Sequence, residues 1–86
     1  MKILLFADRK TEVDSAWQRL KVELEQRHLA ITRLDLNTAD AQAKARLYDV
    51  TNPATVVVTR DDGAPVASWR THLPSAAEIS HSLGYI

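Results

Sequence analysis

The stretch Ile3-Leu4-Leu5-Phe6-Ala7 has no polar side. A strand of this kind is expected where both faces of a sheet are covered, so the chain must supply layers above and below it. Ala54–Thr59, built around Val56-Val57-Val58, is β-branched and apolar and reads as another strand. Eighty-six residues leave room for one core, and the reading is a single domain over 1–86.

The segments between these runs define the remaining elements. Asp8-Arg9-Lys10-Thr11 is a polar loop, after which Val13, Ala16, Trp17, Leu20 and Leu24 share one helix face. Thr11 followed by Asp14 resembles a capping box, and Trp17 is assigned to the core. Arg19–Glu23, Lys21–Glu25 and Glu23–Arg27 are spaced for pairing along the outer faces. Ile31–Leu36 alternates as a second strand, and Thr38 caps a helix over Ala39–Tyr48. Asp61-Asp62-Gly63 is a hairpin turn leading into a strand over Val66–Trp69. Ser75 and Glu78 open a last helix whose buried face is Ala76, Ile79, Leu83 and Ile86. The order is β-α-β-α-β-β-α, an α/β sandwich.

Composition excludes several kinds of chemistry. Eleven basic and eleven acidic side chains cancel without forming long blocks, so no nucleic-acid footprint is expected. The absence of cysteine removes disulfides, thiolate nucleophiles and Cys-ligated metals. His28, His72 and His81 lack a metal-ligand spacing, and none is close in sequence to Thr11 to act as its base. No catalytic residue, metal or cofactor is therefore expected. The apolar run at Ile3–Ala7 is too short for a signal-peptide core or a membrane span, so a cytoplasmic location and no membrane partner are expected.

Pro53 stands in front of the valine strand, where a proline cannot donate a ladder bond. Its setting, Asn52-Pro53-Ala54-Thr55 leading into Val56-Val57-Val58, is joined by Leu29-x-Ile31-x-x-Leu34-Asp35-Leu36-Asn37 and Ala45-x-x-Tyr48-Asp49-Val50. With Asp62-Gly63 at the hairpin and Trp69 near the end of the fourth strand, these pieces resemble the thioredoxin-like fold over nearly the whole chain. The resemblance implies a three-layer sandwich with a four-stranded mixed sheet. It also implies a cis peptide bond before Pro53.

In that family a C-x-x-C pair opens the first helix, where the helix N-terminus stabilises the attacking thiolate. The equivalent stretch here is Thr11-Glu12-Val13-Asp14, without sulfur. The buried acid of thioredoxins would fall on Leu5, the tryptophan before the pair on Lys10, and the glycine after the fourth strand on Arg70 or Thr71. The chain thus resembles a redox-inactive member of the family. The resemblance implies a non-catalytic module binding a protein or extended peptide through Thr11, Glu12, Val13, Asp14, Asn52 and Pro53. A second reading is glutathione binding or transferase-like activity, with Thr11 on the thiol and Asn52 on the glutathione backbone. Glutathione transferases carry a further helical domain for which this chain has no room.

Overall fold

The computed structural model describes residues 2–70 and 73–82. The element order is β1 (Lys2–Ala7), α1 (Arg9–Glu12), α2 (Ser15–Gln26), β2 (Ile31–Asp35), α3 (Ala39–Leu47), β3 (Thr55–Thr59), β4 (Pro65–Trp69) and α4 (Ala76–Ser82). The strands form one four-stranded sheet in the order β2-β1-β3-β4. β2 runs parallel to β1, while β1–β3 and β3–β4 are antiparallel, so the sheet is mixed.

The two continuous apolar runs occupy the centre. Residues 3–7 and 55–59 are all buried. Ile3, Leu5, Ala7, Val56 and Val58 face one core with Trp17, Leu20, Leu24, Ala76 and Ile79 from α2 and α4. Leu4, Phe6 and Val57 face the other with Ala45 of α3. Alternation along a strand sends neighbouring side chains to opposite faces, which is why a run with no polar side needs helices on both. Leu83 and Ile86, expected on the buried face of the last helix, lie outside the described residues.

The expected first helix is broken in two. Asp8 caps α1, its Oδ1 accepting the Thr11 amide at 2.8 Å. Asp14 caps α2, its Oδ1 accepting the Ala16 and Trp17 amides at 2.9 and 3.3 Å. The Thr11–Asp14 capping box is therefore replaced by two separate aspartate caps, each satisfying amides that no helix carbonyl can reach. Val13 ends α1 and is 76% exposed, so it leaves the core face on which its spacing had placed it. Lys21 pairs with Glu12 at 2.9 Å rather than with Glu25, and the Gln18 side chain donates to the Glu12 carbonyl at 3.0 Å. Both contacts tie the short α1 back onto α2.

Two helices end without glycine. After α2, the His28 amide donates to Glu25 O at 2.9 Å and the Leu29 amide to Leu24 O at 3.1 Å. After α3, the Asp49 amide donates to Arg46 O at 3.3 Å and the Val50 amide to Ala45 O at 2.7 Å. Both are Schellman motifs, with His28 (φ 59°) and Asp49 (φ 56°) at the left-handed position. Leu29 and Val50 then pack onto the two cores, supplying the apolar contact that accompanies the motif. A side chain at this φ is strained where glycine is not. His28→Gly and Asp49→Gly should therefore each raise stability by roughly 0.5–1 kcal/mol, read as a higher urea midpoint at constant slope. A lower midpoint for both would refute this account of the helix ends.

Candidate functional site at the end of the sheet

The strand register decides which loops meet. Phe6 pairs with Thr55, Ala7 with Asp35 and Val56 with Trp69. The loops following β1, β2 and β4 and the loop preceding β3 consequently gather at one end of the sheet. Residues 8–14 and 51–54, some forty positions apart in sequence, come together for this reason alone.

At this corner the Asn52–Pro53 peptide is trans, contrary to the cis bond that the family resemblance implied. The change of chain direction falls instead on Ala54, whose φ of 62° lies in the left-handed region. The Thr55 hydroxyl donates to Asn52 O at 2.7 Å and closes the turn. Ala54 is thereby excluded from β3, which begins one residue later than the sequence pattern indicates. The Asn52 side chain donates to Arg70 O at 3.5 Å, and Arg70 Nη2 donates to Tyr48 O at 3.0 Å. Loop 48–52 is thus fastened to the end of β4. An alanine at positive φ stores strain on the order of 1 kcal/mol or more.

The gathered loops line an open, shallow cavity on each face of the sheet. On the α2 side, Lys10, Thr11, Asp14, Ala16, Trp17, Ala54 and Leu73 line a cavity of about 350 Å³. On the α3 side, a cavity of about 460 Å³ is bounded by Asp8, Leu36, Gln42, Arg46, Asn52 and Pro53, among others. The six residues expected to form one binding surface are therefore divided. Thr11 and Asp14 enter the first cavity, Asn52 and Pro53 the second, while Glu12 faces Lys21 and Val13 lines neither.

The positions that the resemblance matches to the C-x-x-C pair carry structural duties. Asp14 holds two helix amides, and Thr11 hydrogen-bonds Asp8 through its amide and hydroxyl, holding the Asp8 carboxyl below the usual carboxylate range. Sequence reasoning missed Lys10, Ala16, Ala54 and Leu73 as cavity residues and placed Trp17 only in the core. Trp17 is 1% exposed, and its Nε1 is buried without a hydrogen-bond partner among the described residues. An indole nitrogen on an otherwise apolar helix face was the available signal, since a buried donor normally finds a partner. Among the described residues, no three His, Cys, Asp or Glu side chains gather as a metal set, and no helix is long and apolar enough to cross a membrane.

With this geometry established, comparison with solved structures defines the class. Thioredoxin 1 from the thermophilic eubacterium Thermosipho africanus TCF52B superposes with a TM-score of 0.66 at 17% identity, covering 98% of this chain and 91% of that one. A thioredoxin from Thermus thermophilus gives 0.55 at 22% identity, covering 96% of this chain and 70% of that one. A structure described as that of a malarial protein gives 0.68 at 15% identity, with coverage of 96% and 92%. No protein-family model and no curated protein matches the sequence. The fold is thioredoxin-like, and this chain is a version of it with no cysteine.

Proposed function

We propose that this protein is a non-catalytic, cytoplasmic binding module that takes an extended peptide or a protein segment at the α2-side corner. The observation that carries the reading is the cavity between Lys10, Thr11, Asp14, Trp17, Ala54 and Leu73, largely apolar in its walls and set at the positions that the resemblance matches to the family's cysteine pair. Without a thiol no mixed disulfide can form, so the corner retains shape but not thiol–disulfide exchange. Among the described residues, the Ala54 amide makes no backbone hydrogen bond, leaving a donor for a chain laid across the loop. The glutathione reading needs Thr11 and Asn52 on one ligand, and these two residues line different cavities.

The test is a titration of ¹⁵N-labelled protein with the acetylated, amidated peptide Gly-Ser-Leu-Ser-Gly, and separately with reduced glutathione. The peptide should shift the amides of Thr11, Trp17, Ala54 and Leu73. Ala16→Arg, an exposed substitution at the cavity mouth, should suppress those shifts by at least fivefold while thermal unfolding stays nearly unchanged. Absence of shifts at millimolar peptide, or an undiminished response in the Ala16 variant, would overturn the reading. Glutathione shifts centred on both Thr11 and Asn52 would favour the second one.

A further inference from the structure

We propose that the Pro53–Ala54 peptide plane is a two-position switch, and that a peptide bound at the corner holds it in the position seen here. The inference rests on the corner reading and names how that site is regulated. Among the described residues, His28, Asp49, Ala54 and Gly63 have positive φ. The amides of His28, Asp49 and Gly63 donate to Glu25 O, Arg46 O and Arg60 O at 2.9, 3.3 and 2.9 Å. Each of those left-handed positions is fastened by its own bond. Ala54 is not: neither its amide nor the Pro53 carbonyl has a hydrogen-bond partner among the described residues. An alanine thus carries left-handed strain here with no local bond to enforce it.

The chain on either side of this peptide is fixed. The Thr55 hydroxyl donates to Asn52 O at 2.7 Å, and Thr55 is buried and paired with Phe6 of β1. Proline followed by a residue at positive φ is the pattern of a type II turn, whose third place usually belongs to glycine. Rotating the Pro53–Ala54 peptide by about half a turn converts type II into type I. Ala54 then moves to negative φ and sheds its strain. The proline ring holds its φ near about −65°, which both turns accept, and the peptide bond stays trans throughout. This rotation exchanges the faces toward which the Ala54 N–H and the Pro53 carbonyl point. Ala54 lines the α2-side cavity and Pro53 the α3-side one, so the switch decides whether a bound chain meets a donor or an acceptor. A chain that accepts from the Ala54 amide in one position draws the population toward that position.

NMR of labelled protein tests this with and without the acetylated, amidated peptide Gly-Ser-Leu-Ser-Gly. In the free protein, the Ala54 amide should show relaxation dispersion on the microsecond-to-millisecond scale. Ala54→Gly accepts positive φ without strain and should reduce the dispersion at least threefold, as should saturating peptide. Ala54→Val is penalised more heavily at positive φ. It should weaken the NOE from Pro53 Hα to the residue-54 amide, which is strong in type II and weak in type I. Its affinity for the peptide should fall at least fivefold, because the competent fraction falls. A flat dispersion profile at Ala54 in the free protein would overturn the switch while leaving the corner reading standing. Dispersion that saturating peptide leaves unchanged would overturn the regulation. Lost affinity in the valine variant with an undiminished NOE would mean that valine obstructs the cavity, and would also overturn it. Absence of peptide binding in every variant would overturn the corner reading, and with it the regulation, even if the free protein shows dispersion.

Discussion

Leu5→Asp is expected to destabilise the protein by about 4 kcal/mol or more at neutral pH, and the loss should grow as pH rises. Leu5 is 0% exposed and lies in the core formed by β1, β3, α2 and α4. Thioredoxins place their buried acid at the position that Leu5 occupies by resemblance, so the substitution asks whether this core still admits one. Burial disfavours the ionised form and should raise the folded-state pKa of the new carboxyl above its unfolded value near 3.9. Below pH ~4 both states are protonated, and only lost packing and burial of a neutral polar group remain. Between the unfolded and folded pKa values, the unfolded state alone ionises, and stability should fall by about 1.4 kcal/mol per pH unit. Urea midpoints at pH 4, 5.5 and 7 read this directly. Leu5→Asn, polar but not titrating, should lose stability without acquiring the slope. A flat profile for the aspartate variant would mean that water reaches position 5, contrary to its burial.

Trp17 offers the second large effect, and a contrast within it. Trp17→Ala should cost about 3–5 kcal/mol, because a fully buried aromatic leaves a cavity that its surroundings fill only in part. A domain of this size has a total stability of roughly 4–13 kcal/mol, so that variant should approach the edge of folding. Trp17→Phe should cost no more than about 1 kcal/mol. The phenyl ring loses contact area, but it also removes the Nε1 donor, which has no partner among the described residues and whose burial costs roughly 1–3 kcal/mol. Equilibrium unfolding of the two variants separates these terms. A phenylalanine variant as unstable as the alanine one would show that the indole nitrogen has a partner in solution. Trp69 is the other tryptophan and is half-buried, so the Trp69→Phe background isolates the fluorescence of Trp17 for binding measurements.

The legible parts of this protein are those governed by neighbours in sequence. Thr38 does cap α3, its hydroxyl accepting the Ala41 amide at 3.3 Å, and Ser75 Oγ accepts the Glu78 amide at 3.1 Å. The Asp62 carboxylate takes the Ala64 amide at 2.9 Å, and Gly63 turns the hairpin at a φ of 93°. Helix ends were harder to read, because left-handed positions filled by His28 and Asp49 carry no glycine to announce them. The break at Val13 was hidden for a related reason. An apolar residue at helix spacing looks like core until the aspartates on either side each claim a helix of their own.

The candidate site shows where reading by neighbours stops. Thr11 and Asp14 were named from sequence and do line a cavity, yet Asn52 and Pro53 open to the opposite face of the sheet. That division follows from the turn at Ala54, which lines the α2-side cavity immediately after Pro53 has lined the other. By itself, the sequence determined the order of the four strands and the longer helices between them, the two-sided burial of β1 and β3, and the absence of thiol chemistry. Each of these depends on residue type and local spacing, which are present in the chain before it folds. Only the tertiary structure decided that Pro53 follows a trans bond, that Ala54 carries the turn, and that Asn52 and Pro53 line a different cavity from Thr11 and Asp14. These depend on which strands pair and in what register, and so on contacts between residues tens of positions apart that no local pattern encodes.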